Sequence, residues 1–357
     1  MDQQRQSEIL KFDQKFAAGI RRRFSRMGLA LTAMILSGNL VSALIHLLVS
    51  ELAPHLVDTD WYMWTLSSVS MYLIAVPIML MVAGRDKTAA APEKHKLQAG
   101  HWMILLLMCF GLMQVGNYVA NYLMMMVAGI KGEMVENTIA TMLQGSSLWI
   151  NAIVTVLLAP IIEELIFRKL MIDRLGGFGE KTAMIFSALM FGLFHANLYQ
   201  FFYAFLLGML FAYVYIRTGK IGYTIGFHMV INFFGGVVAP LIMRLLDQER
   251  LMAFVEKMSD AAFVEKLAGD PAAHAEFMEQ FAPMLPGFFA YAAYAMALMV
   301  VSVTGVVLFV AHRRKMIIKP APFQLPRERV GNTVYFNPGV ISAILVCTLL
   351  MVYMLVA

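Results

Sequence analysis

Nine runs of apolar residues, each of a length that matches the thickness of a bilayer, constrain this chain more than any other feature. They lie at about 27–50, 61–83, 101–128, 146–167, 182–197, 199–216, 221–243, 286–311 and 338–357. A helix crosses the hydrocarbon core with about 20 apolar residues, and only a closed backbone survives there, because no water satisfies open N–H and C=O groups. The fifth and sixth runs together span 182–216 without a charge, too long for one crossing, so a tight helical hairpin breaking around Ala196 to Gln200 is expected. Composition points the same way. The chain is 60% hydrophobic and 14% charged, against about 25% charged in soluble domains. The expected fold is all-α, a polytopic transmembrane helical bundle of about nine spans.

Lys and Arg asymmetry orients such a bundle. With a cytoplasmic N-terminus, the inside segments hold 23 of the 28 basic residues, as 7, 4, 4, 2 and 6 in chain order. Alternation over nine spans then leaves the C-terminus outside. The net charge of +5 is read as this orientation signal, and no nucleic-acid partner is expected. Residues 1–26 are basic, with Ile9, Phe12, Phe16 and Ile20 near one helical face. They are expected to lie along the cytoplasmic membrane surface, and their polarity argues against a cleavable signal peptide. Cys109 and Cys347 both fall within spans, so no disulfide framework is implied. The thirty methionines are spread through the spans and read as gap-filling side chains.

The remaining organisation follows from charge and helix signals. Residues 27–145 are expected to form three N-terminal spans, 146–243 a four-span core, and 286–357 two C-terminal spans joined by a basic cytoplasmic connector. Between them, 244–285 holds eight acidic and four basic residues and a repeat, Ala253-Phe-Val-Glu-Lys-Met258 and Ala262-Phe-Val-Glu-Lys-Leu267. Two amphipathic helices on the outer face are expected there, ended by Pro271, Pro283 and Pro286.

Polar groups inside apolar spans carry the functional signal. Pro160-Ile-Ile-Glu-Glu-Leu-Ile-Phe-Arg168 closes the fourth run with two carboxylates and a guanidinium. A charge at mid-membrane costs roughly 2.5–3.5 kcal/mol on insertion scales, and such residues usually face a protein interior or a wet cavity. Glu164 and Arg168, four apart in acid-before-base order, are expected to pair. That leaves Glu163, one step round the helix, free for chemistry. Arg168 is placed at the cytoplasmic edge. Phe191-Gly-Leu-Phe-His195 and His228-Met-Val-Ile-Asn232 add histidines and an amide to two further apolar runs. A lone histidine there is more often a satisfied core residue and a lone Asn interhelical glue. The three motifs, at intervals of 32 and 33 residues, count together.

In that order and spacing the motifs resemble those of the CPBP family, the CAAX-processing and bacteriocin-processing (Abi) proteases that include type II CAAX prenyl endopeptidases. The resemblance covers about residues 146 to 236. One departure is Lys169, where many members have Gly after the motif arginine. The resemblance implies a multi-pass intramembrane endopeptidase of a bacterial cytoplasmic membrane, acting on a membrane protein or lipidated peptide. By it Glu163 is the base that activates water, His195 its partner at the scissile bond, and His228 and Asn232 complete the site by stabilising the oxyanion. Glu164 and Arg168 belong to the same catalytic set. Peptide hydrolysis independently needs a base for water, an acid for the leaving amine and donors for the developing charge. Phe191 is read as a packing wall.

Two other classes stand beside this reading. A proton-coupled transporter or channel could use Glu163, His195 and His228 as a relay. A non-catalytic immunity or scaffold protein could keep the same fold. No cofactor is expected, with zinc on Glu163, His195 and His228 as the alternative mechanism. The sequence lacks the Gly-x-Ser-x-Gly and His-Glu-x-x-His signatures of serine hydrolases and common zinc proteases.

Overall fold

The computed structural model describes residues 3–86, 88–89 and 91–356, with side chains from Gln14 onward. Among these residues every regular element is helical. In chain order they are α1 (Gln3–Leu52), α2 (Tyr62–Ala83), α3 (Ala99–Lys131), α4 (Thr138–Gly145) and α5 (Leu148–Phe178). A hairpin of α6 (Glu180–Phe194) and α7 (Leu198–Thr218) follows, then α8 (Ile221–Leu245). Three short helices, α9 (Gln248–Ser259), α10 (Ala261–Gly269) and α11 (Pro271–Phe281), lead to α12 (Leu285–His312) and α13 (Pro338–Val356).

Eight helices among the described residues are long and apolar enough to cross a membrane, so the chain is an integral, multi-pass all-α protein. Nine were expected, and the difference is α6. Its 15 residues rise about 22 Å, short of the ~30 Å core. Outward-facing Leu40, Leu44 and Leu47 on α1 and Trp149 and Ile153 on α5 are exposed, as residues that meet acyl chains should be. Helices approach one another at small residues, the usual solution where lipid is as apolar as Leu. A Cβ on Gly28 of α1 would lie 2.4 Å from the Gly339 carbonyl carbon of α13, and one on Gly305 of α12 would lie 1.9 Å from the Leu107 oxygen of α3.

The hairpin turn falls where the uncharged run suggested. The Asn197 side chain accepts from the Tyr199 N–H at 2.8 Å and starts α7. Ala196, just before it, takes a left-handed φ of 45°.

Several expected boundaries move. The basic N-terminal segment does not lie apart along a surface: it continues into the first span as the single helix α1. Ile20 and Phe24 are buried in the main core, Phe24 edge-on to Phe186 at 5.0 Å. The side chains of Ile9 and Phe12 lie outside the described residues. The acidic loop holds three helices where two were expected. Asp247, Asp260 and Asp270 each cap a new helix with their side chains, and Pro271 opens α11 at its first turn instead of ending the loop, a position that needs no N–H.

The segments expected on one side of the membrane do meet at one end of the bundle. Arg26 pairs with Asp86 at 2.9 Å, Arg217 pairs with Glu180, and the His95 N–H donates to Thr218 O at 2.8 Å. Phe323 N–H donates to Gly177 O at 2.9 Å.

Candidate active site

Three proline residues shape the helices around the site, each directly after a π-helical turn. In α2 the wide turn covers Val69–Ala75 and Pro77 follows; in α5 it covers Ala152–Leu158 and Pro160 follows; in α8 it covers Phe234–Val238 and Pro240 follows. A π turn bonds each N–H to the carbonyl five residues back. Thus Ala159 N–H donates to Val154 O. Next in that register, Pro160 would reach Thr155 but has no N–H to give. Asn232 of α8 supplies the missing donor, its Nδ2 lying 2.7 Å from Thr155 O. This bond locks α8 to α5 about two turns before the two glutamates.

Glu163 and Glu164 follow that junction, both buried. Glu164 Oε2 lies 3.1 Å from Arg168 Nε, with both side chains 0% exposed, which is the pairing expected from their spacing. Arg168 therefore lies inside the protein and not on its surface. Its guanidinium stands over Phe191 at 4.3 Å and Phe211 at 5.3 Å, and Nη1 and Nη2 have no hydrogen-bond partner in the protein. Such stacking suits a planar, weakly hydrated cation. Phe191 is thus a packing wall that also offsets part of the cost of burying the charge.

His228 sits between the two carboxylates. Its Nδ1–H donates to Glu164 Oε1 at 3.1 Å, and its Nε2 faces Glu163 Oε2 at 3.7 Å. Because Glu164 is already held by Arg168, the chain Arg168–Glu164–His228 fixes the ring and turns Nε2 toward Glu163. His195, at the end of α6, donates from Nδ1 to Phe191 O at 2.9 Å, which leaves its Nε2 as an acceptor. The Phe191 ring meets His195 edge-on at 5.0 Å and His228 at 5.7 Å.

One cavity of about 330 Å3 is lined by Glu163, His195, His228 and Asn232 together. Glu164 and Arg168 lie behind this wall and hold it. All six residues singled out by sequence thus belong to one cluster, and Glu163 is the carboxylate that reaches the cavity. Among the described residues no three His, Cys, Asp or Glu side chains group as a metal shell. Sequence reasoning missed Thr155, whose carbonyl matters only through the π register before Pro160. It also missed the cavity wall from α1 and α2, where Asn39, Ser68, Ser70 and Tyr72 line the same space. The serines at 67, 68 and 70 in one span were the available signal.

Residues 145–234 match the family model described as type II CAAX prenyl endopeptidase Rce1-like. The chain is also 28% identical over 176 residues to "Putative membrane peptidase YdiL" of Bacillus subtilis (strain 168), an alignment covering 48% of this chain and 69% of that protein. No solved structure matches the chain.

Proposed function

From the match of residues 145–234 to the type II CAAX prenyl endopeptidase model, we propose that this chain is an intramembrane endopeptidase of the CPBP family whose water is activated by Glu163. The observation that carries the reading is the meeting of Glu163, His195, His228 and Asn232, brought from three helices, on one cavity wall. A water there donates one hydrogen bond to Glu163 and the other to the bare Nε2 of His195, which aims its lone pair at the scissile carbonyl carbon. Glu163 takes the proton as the C–O bond forms. The tetrahedral oxyanion accepts from the second Nδ2–H of Asn232, the first being spent on Thr155. Glu163 then returns the proton to the departing amine nitrogen as the C–N bond breaks. His228 Nε2, 3.7 Å from Glu163, steadies the proton on that carboxyl while Glu164 and Arg168 hold the ring.

The substrate class is a membrane protein or a lipidated peptide, and the setting a bacterial cytoplasmic membrane. Purified protein in detergent is to be tested on two probes, a farnesylated peptide with a CAAX-type end and an unmodified transmembrane peptide. Cleavage of at least one is expected. Glu163→Gln should lower kcat by about 10²–10⁴-fold, the usual range for a lost general base. Exhaustive chelation should leave the wild-type rate unchanged. Activity lost to chelator and restored by zinc would recast Glu163, His195 and His228 as ligands.

A further inference from the structure

The cavity has a second wall that lies outside the segment matched by the protease family. It comes from α2, around the π turn Val69–Ala75. Hydroxyls in membrane helices normally fold back on the preceding turn, and this chain follows the habit. Ser37 bonds Ala33 O at 2.6 Å, Ser67 bonds Trp64 O at 3.1 Å, and Thr304 bonds Val300 O at 2.8 Å. Ser68, Ser70 and Ser302 do not, and of these three Ser68 and Ser70 line the cavity that holds Glu163. Their hydroxyl oxygens are buried without a hydrogen-bond partner. Ser70 is 1% exposed. The helix register widens at the same place. Val76 N–H turns back to Met71 O, and Pro77, next in register, has no N–H for the Tyr72 carbonyl.

Buried polar groups are almost always satisfied, so an unsatisfied group facing a cavity calls for a partner that arrives later. The chemistry of the proposed reaction supplies one. A peptide in a bilayer keeps its backbone bonded within a helix. Its scissile bond becomes reachable only when that helix opens, which strips several N–H and C=O groups of partners in an apolar place. Two serine hydroxyls, each both donor and acceptor, complement such a segment. They do not complement a closed helix, whose backbone presents nothing to bond.

We propose that Ser68 and Ser70 bind the opened backbone of the substrate beside Glu163, so that the protein takes its peptide extended and not helical. This rests on the proteolytic reading above and names how the substrate is held. The two parts separate by experiment, using the farnesylated CAAX-type peptide and the transmembrane peptide as probes. If the wild-type protein cleaves neither, the proteolytic reading fails and this inference falls with it. If cleavage occurs and depends on Glu163, the double variant Ser68→Ala/Ser70→Ala is compared on the same probe.

Its KM should rise about tenfold, the scale of one or two lost hydrogen bonds, with kcat changed less than about threefold. A probe with ester linkages replacing the amides next to the scissile bond, which removes backbone N–H donors, should lose about tenfold on wild type and little further on the double variant. A merely structural role for the serines would not produce that non-additivity. The double variant should also melt no lower than wild type, since it deletes hydroxyls that bond no other group of the protein. Unchanged KM, or ester and serine losses that simply multiply, would overturn the proposal.

Discussion

At the scale of single residues, Arg168 is the group that the proposed mechanism uses for positioning and not for chemistry. It is fully buried, pairs with Glu164 at 3.1 Å and stacks over Phe191 and Phe211. Removing one partner of a buried ion pair strands the other charge, at about 3–5 kcal/mol. Arg168→Ala is expected to show that loss in thermal unfolding, while Glu164→Leu/Arg168→Met, which removes both charges, should recover most of it. Arg168→Lys should not rescue activity, because an ammonium cannot stack flat between two rings. The Glu164–Arg168 pair was legible from sequence because i, i+4 spacing places two side chains on one helix face whatever surrounds them. Glu163, His195 and His228 were legible because polar groups are rare in apolar spans. The partners of those groups were not. That Asn232 spends a donor on Thr155 follows from a π turn and the missing N–H of Pro160, a register that composition does not encode. That His228 bridges both carboxylates depends on how α8 rotates against α5.

At the scale of elements, the α6–α7 hairpin carries His195 at its turn, so its geometry governs the site. Ala196 there holds a φ of 45°, a left-handed conformation that crowds a Cβ and is costlier still for a β-branched residue. Ala196→Val is expected to destabilise by more than about 1 kcal/mol and to lower kcat by displacing His195. In Ala196→Gly the relieved strain and the added chain entropy nearly offset one another, within about 0.5 kcal/mol. Melting temperature and kcat for the two variants check this, and equal behaviour of Val and Gly would show that the turn is not strained. The break itself was readable, since 35 uncharged residues exceed one crossing. The length of α6 was readable too, since the apolar run at 182–197 differs by one residue from the 15 of Glu180–Phe194; counting it as a full crossing was the error, because so short a helix does not span the core. Likewise the acidic loop read as helical from composition, but its division into three follows the Asp caps at 247, 260 and 270.

At the scale of the whole molecule, the alternation of Lys and Arg predicts which loops share a side. The contacts among Arg26, Asp86, Glu180, Arg217 and the connector gather those loops at one end. Which end faces the cytoplasm is a separate prediction. Cysteines introduced at exposed Lys96 and Glu256 should be labelled by a membrane-impermeant thiol reagent from inside and outside respectively, over a quiet background, since native Cys109 and Cys347 are buried. The reverse pattern would invert the topology. The acidic helices can be judged at the same scale. α9 to α11 pack on one another through Phe254, Phe263, Phe277 and Phe281, a small core of their own that includes none of the site residues. The chain also leaves and re-enters the bundle at nearly one point: a Cβ on Gly287 of α12 would lie 1.9 Å from Leu245 O at the end of α8. Closing so short a gap costs little chain entropy. Replacing 250–283 by a short Gly/Ser linker is therefore expected to leave a protein that inserts, purifies as a single species and melts within a few degrees of the parent. Its Glu163-dependent cleavage of a short lipidated peptide should persist. Loss of expression on deletion would make these helices part of the folding core. Retained folding with cleavage abolished would instead assign them to substrate capture.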